Sequence, residues 1–124
     1  MGKAVSRDRG IRLQNALARY LTTWWPSAES AGSGRPGTDI LGTPGIVWEC
    51  KTAREFRPGE WVRQARAHAA TAAARRLPLP VVVYWPDGIG ESSPQCAMAL
   101  MPLPELVALL AAHPEYSPLK GISA

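Results

Sequence analysis

The segment from Val81 to Trp85 constrains the fold of this chain more than any other. It reads Val-Val-Val-Tyr-Trp without a polar interruption, and such a run is typical of a strand buried on both faces of a sheet. Residues 78–80 (Pro-Leu-Pro) precede it and residues 86–88 (Pro-Asp-Gly) follow it, and both sequences are typical of breaks or turns. We therefore predict an interior strand at residues 81–85.

Two longer segments have the 3.6-residue apolar period of an α-helix. The first spans residues 9–24 and is stopped by Pro26. Its apolar positions are Leu13, Ala16, Leu17, Tyr20, Leu21 and Trp24, and its polar face is Arg12, Asn15 and Arg19. The second opens at Pro58 and runs to about Leu77, with an apolar face of Trp61, Ala65, His68 and Ala72. A short closing helix is expected from Pro104 to Ala112, because proline is favoured in a first helical turn.

Further short strands are expected around the Gly/Pro-rich middle of the chain. A first short strand falls within residues 27–37, and two more lie near residues 38–42 and 46–52. The residues between these two read as a turn, so we predict that they form a hairpin. A last strand is expected at residues 95–101.

Length and composition favour one globular domain over the whole chain. The 124 residues, 46% of them hydrophobic, suffice for a single buried core. The basic lead-in at residues 1–8 and the tail at residues 114–124 are expected to be flexible. No apolar run approaches the roughly 18 residues of a membrane span and no secretory signal is visible, so a cytoplasmic location without a membrane partner is expected.

Charge and cysteine content limit the classes of function. The net charge of +4 suits a polyanionic partner, although many solvated surfaces are also basic. Cys50 and Cys96 each lie in an apolar run, and we expect both to be buried free thiols in a reducing compartment. No cysteine and histidine spacing is that of a zinc site.

Asp39, Glu49 and Lys51 are the strongest candidates for chemistry. Side chains alternate along a strand, so Val47, Glu49 and Lys51 share one face. A hairpin with its loop at residues 43–45 would place Asp39 opposite Glu49, with Cβ atoms about 5 Å apart. Two carboxylates at that spacing can share one hard cation, which favours metal-assisted hydrolysis of an anionic substrate. The alternatives are a solvated strand face, or a lysine that neutralises the acids without a metal.

The motifs in this part of the chain resemble those of the PD-(D/E)xK nuclease superfamily. They are a helix opening with Gly10 and Gln14, the loop Ser30-Ala31-Gly32-Ser33, then Asp39, then Glu49-Cys50-Lys51. Within the superfamily the chain looks most like the archaeal-type Holliday junction resolvases and their phage relatives, over residues 7 to about 85. The resemblance implies a small α/β fold of the restriction-endonuclease-like type, with a central mixed β-sheet flanked by helices. It also implies Mg²⁺-dependent phosphodiester hydrolysis, with Mn²⁺ as a substitute, a homodimer and a phage origin.

The resemblance also implies a role for each site residue. Asp39 and Glu49, with the backbone carbonyl of Cys50, would hold one or two Mg²⁺ ions. Lys51 would orient the attacking water or offset developing negative charge. Gln64, on the second helix, would reach Lys51 or the substrate phosphate, the alternative being an ordinary surface glutamine.

Four further residues belong to the same comparison. Ser30 or Ser33 would contact the phosphate near the cut. Gln14 stands where these enzymes have a glutamate, and would fix a metal-bound water without supplying charge. Glu29 stands where they often have an arginine. A lone helical histidine such as His68 is more often a packed or surface residue than a ligand.

Basic residues flank the proposed site in sequence, and phosphate binding is the function that we predict for them. They are Arg7, Arg9, Arg12, Arg35, Arg54 and Arg57. The leading hypothesis is a structure-selective DNA endonuclease that resolves four-way junctions. The alternatives are a repair or restriction-type nuclease with the same residues, and a DNA-binding module that has lost its chemistry.

Overall fold

The computed structural model describes residues 2–33, 37–52, 55–71 and 77–117, with side chains from residue 7 onward. Three α-helices, five strands and one 3₁₀ turn occupy these residues. In chain order they are α1 (Gly2–Leu21), β1 (Glu29–Ser30), β2 (Ile40–Leu41), β3 (Ile46–Lys51), α2 (Pro58–Thr71), β4 (Leu79–Tyr84), the 3₁₀ turn (Pro94–Cys96), β5 (Met98–Leu100) and α3 (Leu103–Ala112).

The main sheet is small and mixed, with strand order β3-β4-β5. β3 and β4 are parallel, with Glu49 beside Val82 and Lys51 beside Tyr84, and β5 is antiparallel to β4. The predicted interior strand is confirmed as β4, which lies in the middle of the sheet with Val82 fully buried. The molecule is therefore a mixed α/β protein, as the resemblance implies.

The two faces of the main sheet are covered by different helices. Trp48, Val81 and Val83 pack against the α1 side, in one cluster with Leu13 and Leu17. On the opposite face, Val82 packs with Trp61 and Ala65 of α2. The alternation predicted for β3 thus separates an α1 face from an α2 face. Of the predicted apolar positions of the second helix, Trp61 and Ala65 are buried, His68 is half-buried and Ala72 lies outside the described residues.

α1 begins at Gly2, seven residues before the predicted start, and ends at Leu21. Its central apolar positions are buried as predicted, and Ala18 joins them. Tyr20 and Trp24 are 37% and 57% exposed, so the prediction that they extend the apolar face is wrong. The helix has ended before Trp24, and its 3.6-residue period no longer points that side chain at the core. The two rings pack on each other instead, with centroids 5.1 Å apart.

The predicted hairpin between residues 38–42 and 46–52 is wrong. β2 pairs with β1 in a separate two-stranded antiparallel sheet, with Ser30 beside Ile40. Gly42 permits this close approach, since its φ is +83° and a Cβ there would lie 2.0 Å from the Ser27 carbonyl oxygen. The free edge of β3 is met instead by the loop before β2. There the Asp39 amide donates to the Trp48 carbonyl at 2.8 Å, and Thr38 Oγ1 accepts from the Trp48 amide at 2.8 Å.

The C-terminal part departs from the predicted pattern in two places. The predicted strand at residues 95–101 shortens to β5, because Pro94–Cys96 forms a 3₁₀ turn. Cys96 is exposed in that turn and Cys50 is half-buried, so the predicted burial of Cys96 is wrong, although both thiols are free. α3 nearly matches its predicted range, and none of its residues is buried. Among the described residues, no helix is long and apolar enough to cross a membrane.

Candidate active site

One surface pocket brings together most of the residues that the sequence singled out. It opens where β3 ends, beside the first half of α1 and the loop after β1. In open α/β sheets, the carboxyl ends of strands are the usual place for a ligand site. The lining includes Arg7, Gln14, Ser33, Asp39, Glu49 and Lys51.

Asp39 is held against the edge of β3 by its backbone and by its side chain. Its amide donates to the Trp48 carbonyl, and its own carbonyl accepts from the Ala31 amide at 2.9 Å. Its Oδ2 accepts from the Cys50 amide at 2.7 Å. Burial raises the pKa of the Asp39 carboxyl, and the Cys50 hydrogen bond and the charge of Lys51 only partly offset that rise.

Glu49 is a buried carboxylate, 6% exposed, on the α2 face of β3. His68 Nδ1 forms a hydrogen bond with its Oε1. Burial is the main cause that raises the pKa of Glu49, and the negative charge of Asp39 adds to it. Although His68 and Lys51 lie close by, repulsion between the two acids disfavours the charged form of Glu49. A cation between them would relieve this repulsion.

Lys51 completes the Glu-x-Lys pair and contacts α2. Its Nζ donates to Oε1 of Gln64 at 2.8 Å. The structure thus places Gln64 beside Lys51, where the resemblance put it. This contact holds the ammonium group at the rim of the pocket that Asp39 and Glu49 line.

Gln14 joins α1 to the Ser-Ala-Gly-Ser loop. Its Nε2 donates to Ser30 Oγ at 2.8 Å and to the Gly32 carbonyl at 3.3 Å, and Ser30 Oγ also accepts from the Gly32 amide at 3.2 Å. Gln14 is buried, with 6% of its surface exposed, so it contributes to packing as well as to the pocket. Ser33 lines the pocket nearby.

The thiol of Cys50 takes no part in the polar face of the site. Its sulfur side packs with the α1 cluster. Burial raises the pKa of the thiol strongly, and the charges of Asp39 and Glu49 add to this. Since thiolates rather than thiols bind metals and attack substrates, only the backbone carbonyl of Cys50 remains as a donor.

The six arginines predicted to bind DNA lie in different settings. Arg7 lines the pocket. Arg9 donates to the Thr52 carbonyl at 3.4 Å, and with Arg12 it lines a second cleft on the other side of α1. Arg57 pairs with Glu55 and with Glu60, so its charge is already engaged. Arg35 and Arg54 lie outside the described residues.

The donor set of the pocket fits a hard cation. Among the described residues, no cluster of three or more histidine, cysteine, aspartate or glutamate side chains is arranged around one point. Asp39 and Glu49 alone supply anionic oxygens. Mg²⁺ usually keeps several waters and is held by one or two carboxylates together with substrate phosphates, so the buried Glu49 and the half-buried Asp39 suffice.

His68 is the site residue that sequence reasoning missed. The apolar period of the second helix predicts that His68 packs in the core, whereas its ring contacts Glu49. The signal that could have found it is spacing. His68 follows Gln64 by four residues, which places both side chains on one face of the helix.

Comparison with known protein families, with curated proteins and with solved structures found no match to this chain.

Proposed function

We propose that this protein is a metal-dependent DNA endonuclease of the PD-(D/E)xK type, with a restriction-endonuclease-like fold. The observation that carries the proposal is the meeting of Asp39, Glu49 and Lys51 in one pocket at the end of β3. Asp39 lies ten positions before Glu49 in sequence, and Lys51 follows Glu49 by two. Packing of the apolar clusters on the two faces of the sheet does not require these charged residues to converge on one pocket.

Asp39, Glu49 and the Cys50 backbone carbonyl are the groups that would hold one or two Mg²⁺ ions, or Mn²⁺ as a substitute. When bound, such an ion polarises a phosphate and lowers the pKa of a water molecule. The raised pKa values of Asp39 and Glu49 support this assignment, because buried carboxylates without enough positive charge around them are suited to bind a cation.

The remaining residues of the pocket position the substrate. Lys51, held by Gln64, would offset the negative charge that develops on the phosphate. Ser33 and Arg7 line the same pocket and would contact the phosphate. Ser30 is engaged by Gln14, and this contact holds the serine loop in place beside the site. Of the two serines, Ser33 is therefore the better candidate for phosphate contact.

DNA is the substrate that the charge pattern favours. The chain carries 14 lysines and arginines against 10 acids. Arg7 lines the pocket, and Arg9 donates to the backbone carbonyl of Thr52, which also lines it. Lysine and arginine bind phosphates with little regard to base sequence. A branched junction, as in the resolvases that the motifs resemble, is the substrate that we propose.

A resolvase needs two active sites in fixed relation, so we also propose a homodimer. α3 supports this assembly, since it exposes an apolar surface formed by Leu103, Leu106, Val107, Leu109 and Leu110. Its acid Glu105 lies 3.9 Å from Arg66 of α2, so two copies could meet there without repulsion between unpaired like charges. Exposed apolar surfaces of this kind mark association sites. Sedimentation should give about twice the 13.4 kDa chain mass, and Leu106→Glu should return the monomer.

A cleavage assay on defined DNA tests the function. Four-way junctions, flaps and linear duplexes are incubated with the protein, with and without Mg²⁺. We expect metal-dependent cutting that is fastest on the junction. Cutting of flaps or duplex in preference to junctions would favour a repair or restriction-type nuclease.

One observation favours the second candidate, a DNA-binding module without chemistry. Gln14 supplies no charge at the position where the resembled enzymes have a glutamate, and its amide is already engaged by Ser30 and Gly32. Tight junction binding that is independent of Mg²⁺, with no cutting by the wild-type protein, would support the module.

A further inference from the structure

α2 contacts both charged members of the Glu-x-Lys pair. Gln64 accepts from Lys51 at 2.8 Å, and His68 Nδ1 bonds Glu49 Oε1. Gln64 and His68 are four residues apart on one helix, while Glu49 and Lys51 are two residues apart on one strand. Each polar residue on that face of the helix therefore has its own partner on the strand.

The two spacings match because of helix and strand geometry. Four helical residues rise about 6 Å, and two strand residues rise about 6.6 Å. α2 connects the parallel strands β3 and β4 and runs back along β3, so the later helix residue meets the earlier strand residue. Because the two rises are nearly equal, Gln64 can contact Lys51 while His68 contacts Glu49.

The contact with His68 leaves Glu49 with one oxygen for the pocket. His68 engages Oε1, whereas Oε2 has no hydrogen-bond partner among the described residues. The side chain of His68 is 38% exposed and that of Glu49 is 8% exposed. The histidine therefore contributes little to the core, and its main contact is with the buried carboxylate.

We propose that His68 is a positioning residue that makes the site selective for Mg²⁺ over Ca²⁺, by holding Glu49 so that only one of its oxygens faces the ion. The inference rests on the proposed function. Mg²⁺ requires near-ideal octahedral geometry at short distances, whereas Ca²⁺ readily accepts both oxygens of one carboxylate. Without the hydrogen bond to His68, Glu49 can turn and offer both oxygens, which favours the larger ion.

The test compares two isosteric replacements in the full chain. In His68→Asn, the side-chain amide nitrogen takes the place of Nδ1 and can still donate to Glu49. In His68→Gln, the amide lies one bond further out, where Nε2 was. Both variants are neutral and polar, so a difference between them reports the position of the donor. His113→Asn, an exposed histidine after α3, is the control.

The readout is metal binding by isothermal titration calorimetry with Mg²⁺ and with Ca²⁺, in the absence of DNA. Loss of a hydrogen bond to a ligating group typically costs about 10- to 100-fold in metal affinity, and we expect this loss for Mg²⁺ in His68→Gln. Ca²⁺ affinity should hold or rise, so the Mg²⁺/Ca²⁺ preference falls. His68→Asn and His113→Asn should retain the wild-type preference, and circular dichroism checks that all four proteins are folded.

Two results would overturn the proposal in distinguishable ways. If the wild-type protein binds Mg²⁺ and His68→Gln has the same Mg²⁺/Ca²⁺ preference, His68 does not position Glu49 and the proposed function stands. If the wild-type protein binds neither ion and cuts no DNA with either, the metal site itself is absent, and the nuclease proposal fails together with the role of His68.

Discussion

The two faces of β3 differ in the interactions that hold their side chains in place. On the α1 face, Trp48 is 8% exposed, donates from Nε1 to Thr43 Oγ1 at 2.8 Å and packs edge-on against Trp25 with centroids 6.3 Å apart. On the α2 face, Glu49 and Lys51 are held by polar contacts to His68 and Gln64. One face stabilises the fold by burying apolar surface. The other face holds the charged side chains of Glu49 and Lys51 partly shielded from solvent.

A six-residue strand can therefore contribute side chains both to the core and to the proposed active site. Alternation separates the two functions at single-residue spacing, so neighbours in sequence should respond to substitution in opposite ways. Changes on the α1 face should cost stability. Replacing Asp39 or Glu49 by its amide should cost activity and should leave stability unchanged or raise it, because burial disfavours the charged form of each acid.

The largest effect is expected at Trp48. Trp48→Ala should lower the free energy of unfolding by about 3–5 kcal/mol, the usual cost of removing a large buried aromatic side chain. Urea denaturation followed by circular dichroism measures this loss. Trp24→Ala, at a position 57% exposed, is the control and should change stability by no more than about 0.5 kcal/mol. Equal losses in the two variants would remove the distinction between a core tryptophan and a surface one.

At the proposed active site, Asp39→Asn should slow DNA cleavage by at least about a hundredfold, because it removes one of the two negative charges proposed to hold the metal ion. The amide oxygen can still accept from the Cys50 amide, so the loop should stay in place. Single-turnover cleavage of a labelled junction measures the rate. Asp87→Asn, in an exposed turn, should cut like the wild type. Full activity in Asp39→Asn would mean that the site lies elsewhere.

Gln14 tests where the two regions meet, because it is buried and also lines the pocket. Gln14→Ala should cost about 1–3 kcal/mol of stability, since the Ser30 hydroxyl and the Gly32 carbonyl lose their partner. Gln14→Glu should lower the Mg²⁺ concentration for half-maximal cleavage, because it adds a carboxylate beside the site. Unchanged unfolding and superimposable Mg²⁺ curves for the three proteins would show that position 14 belongs to neither region.

The smallest expected effect is a pH-dependent gain in the stability of Asp39→Asn over the wild type in the absence of metal. The pKa of Asp39 is raised in the folded protein from its ordinary value of 3.8. The contribution of the Asp39 carboxyl to folding stability is therefore fully present below pH 3.8, and it is lost as the pH rises through the pKa of the folded state. Asp39→Asn should accordingly melt at a higher temperature than the wild type at pH 7 in chelator, and the difference should shrink as the pH falls toward 4. A difference that grows on acidification would contradict the sign of the shift.

The elements of the fold could be predicted from the sequence to a large extent. The interior strand β4, the buried centre of α1 and the start of α2 at Pro58 follow from local patterns. The pairing of strands did not follow. The partner of β2 is β1 because Gly42 allows the chain to pass close to Ser27, and periodicity within β2 carries no information about that approach.

For the site, the sequence by itself determined which residue types could act together. The alternation of Glu49 and Lys51, the acid at Asp39 and the serine loop were all visible as motifs, because they depend on spacing within one segment. Only the tertiary structure decided that Gln14 binds Ser30, that His68 contacts Glu49 and that Cys96 is exposed. The two contacts join residues that are distant in sequence, so they arise only when the helices pack on the sheet. The exposure of Cys96 depends on which elements cover that part of the surface.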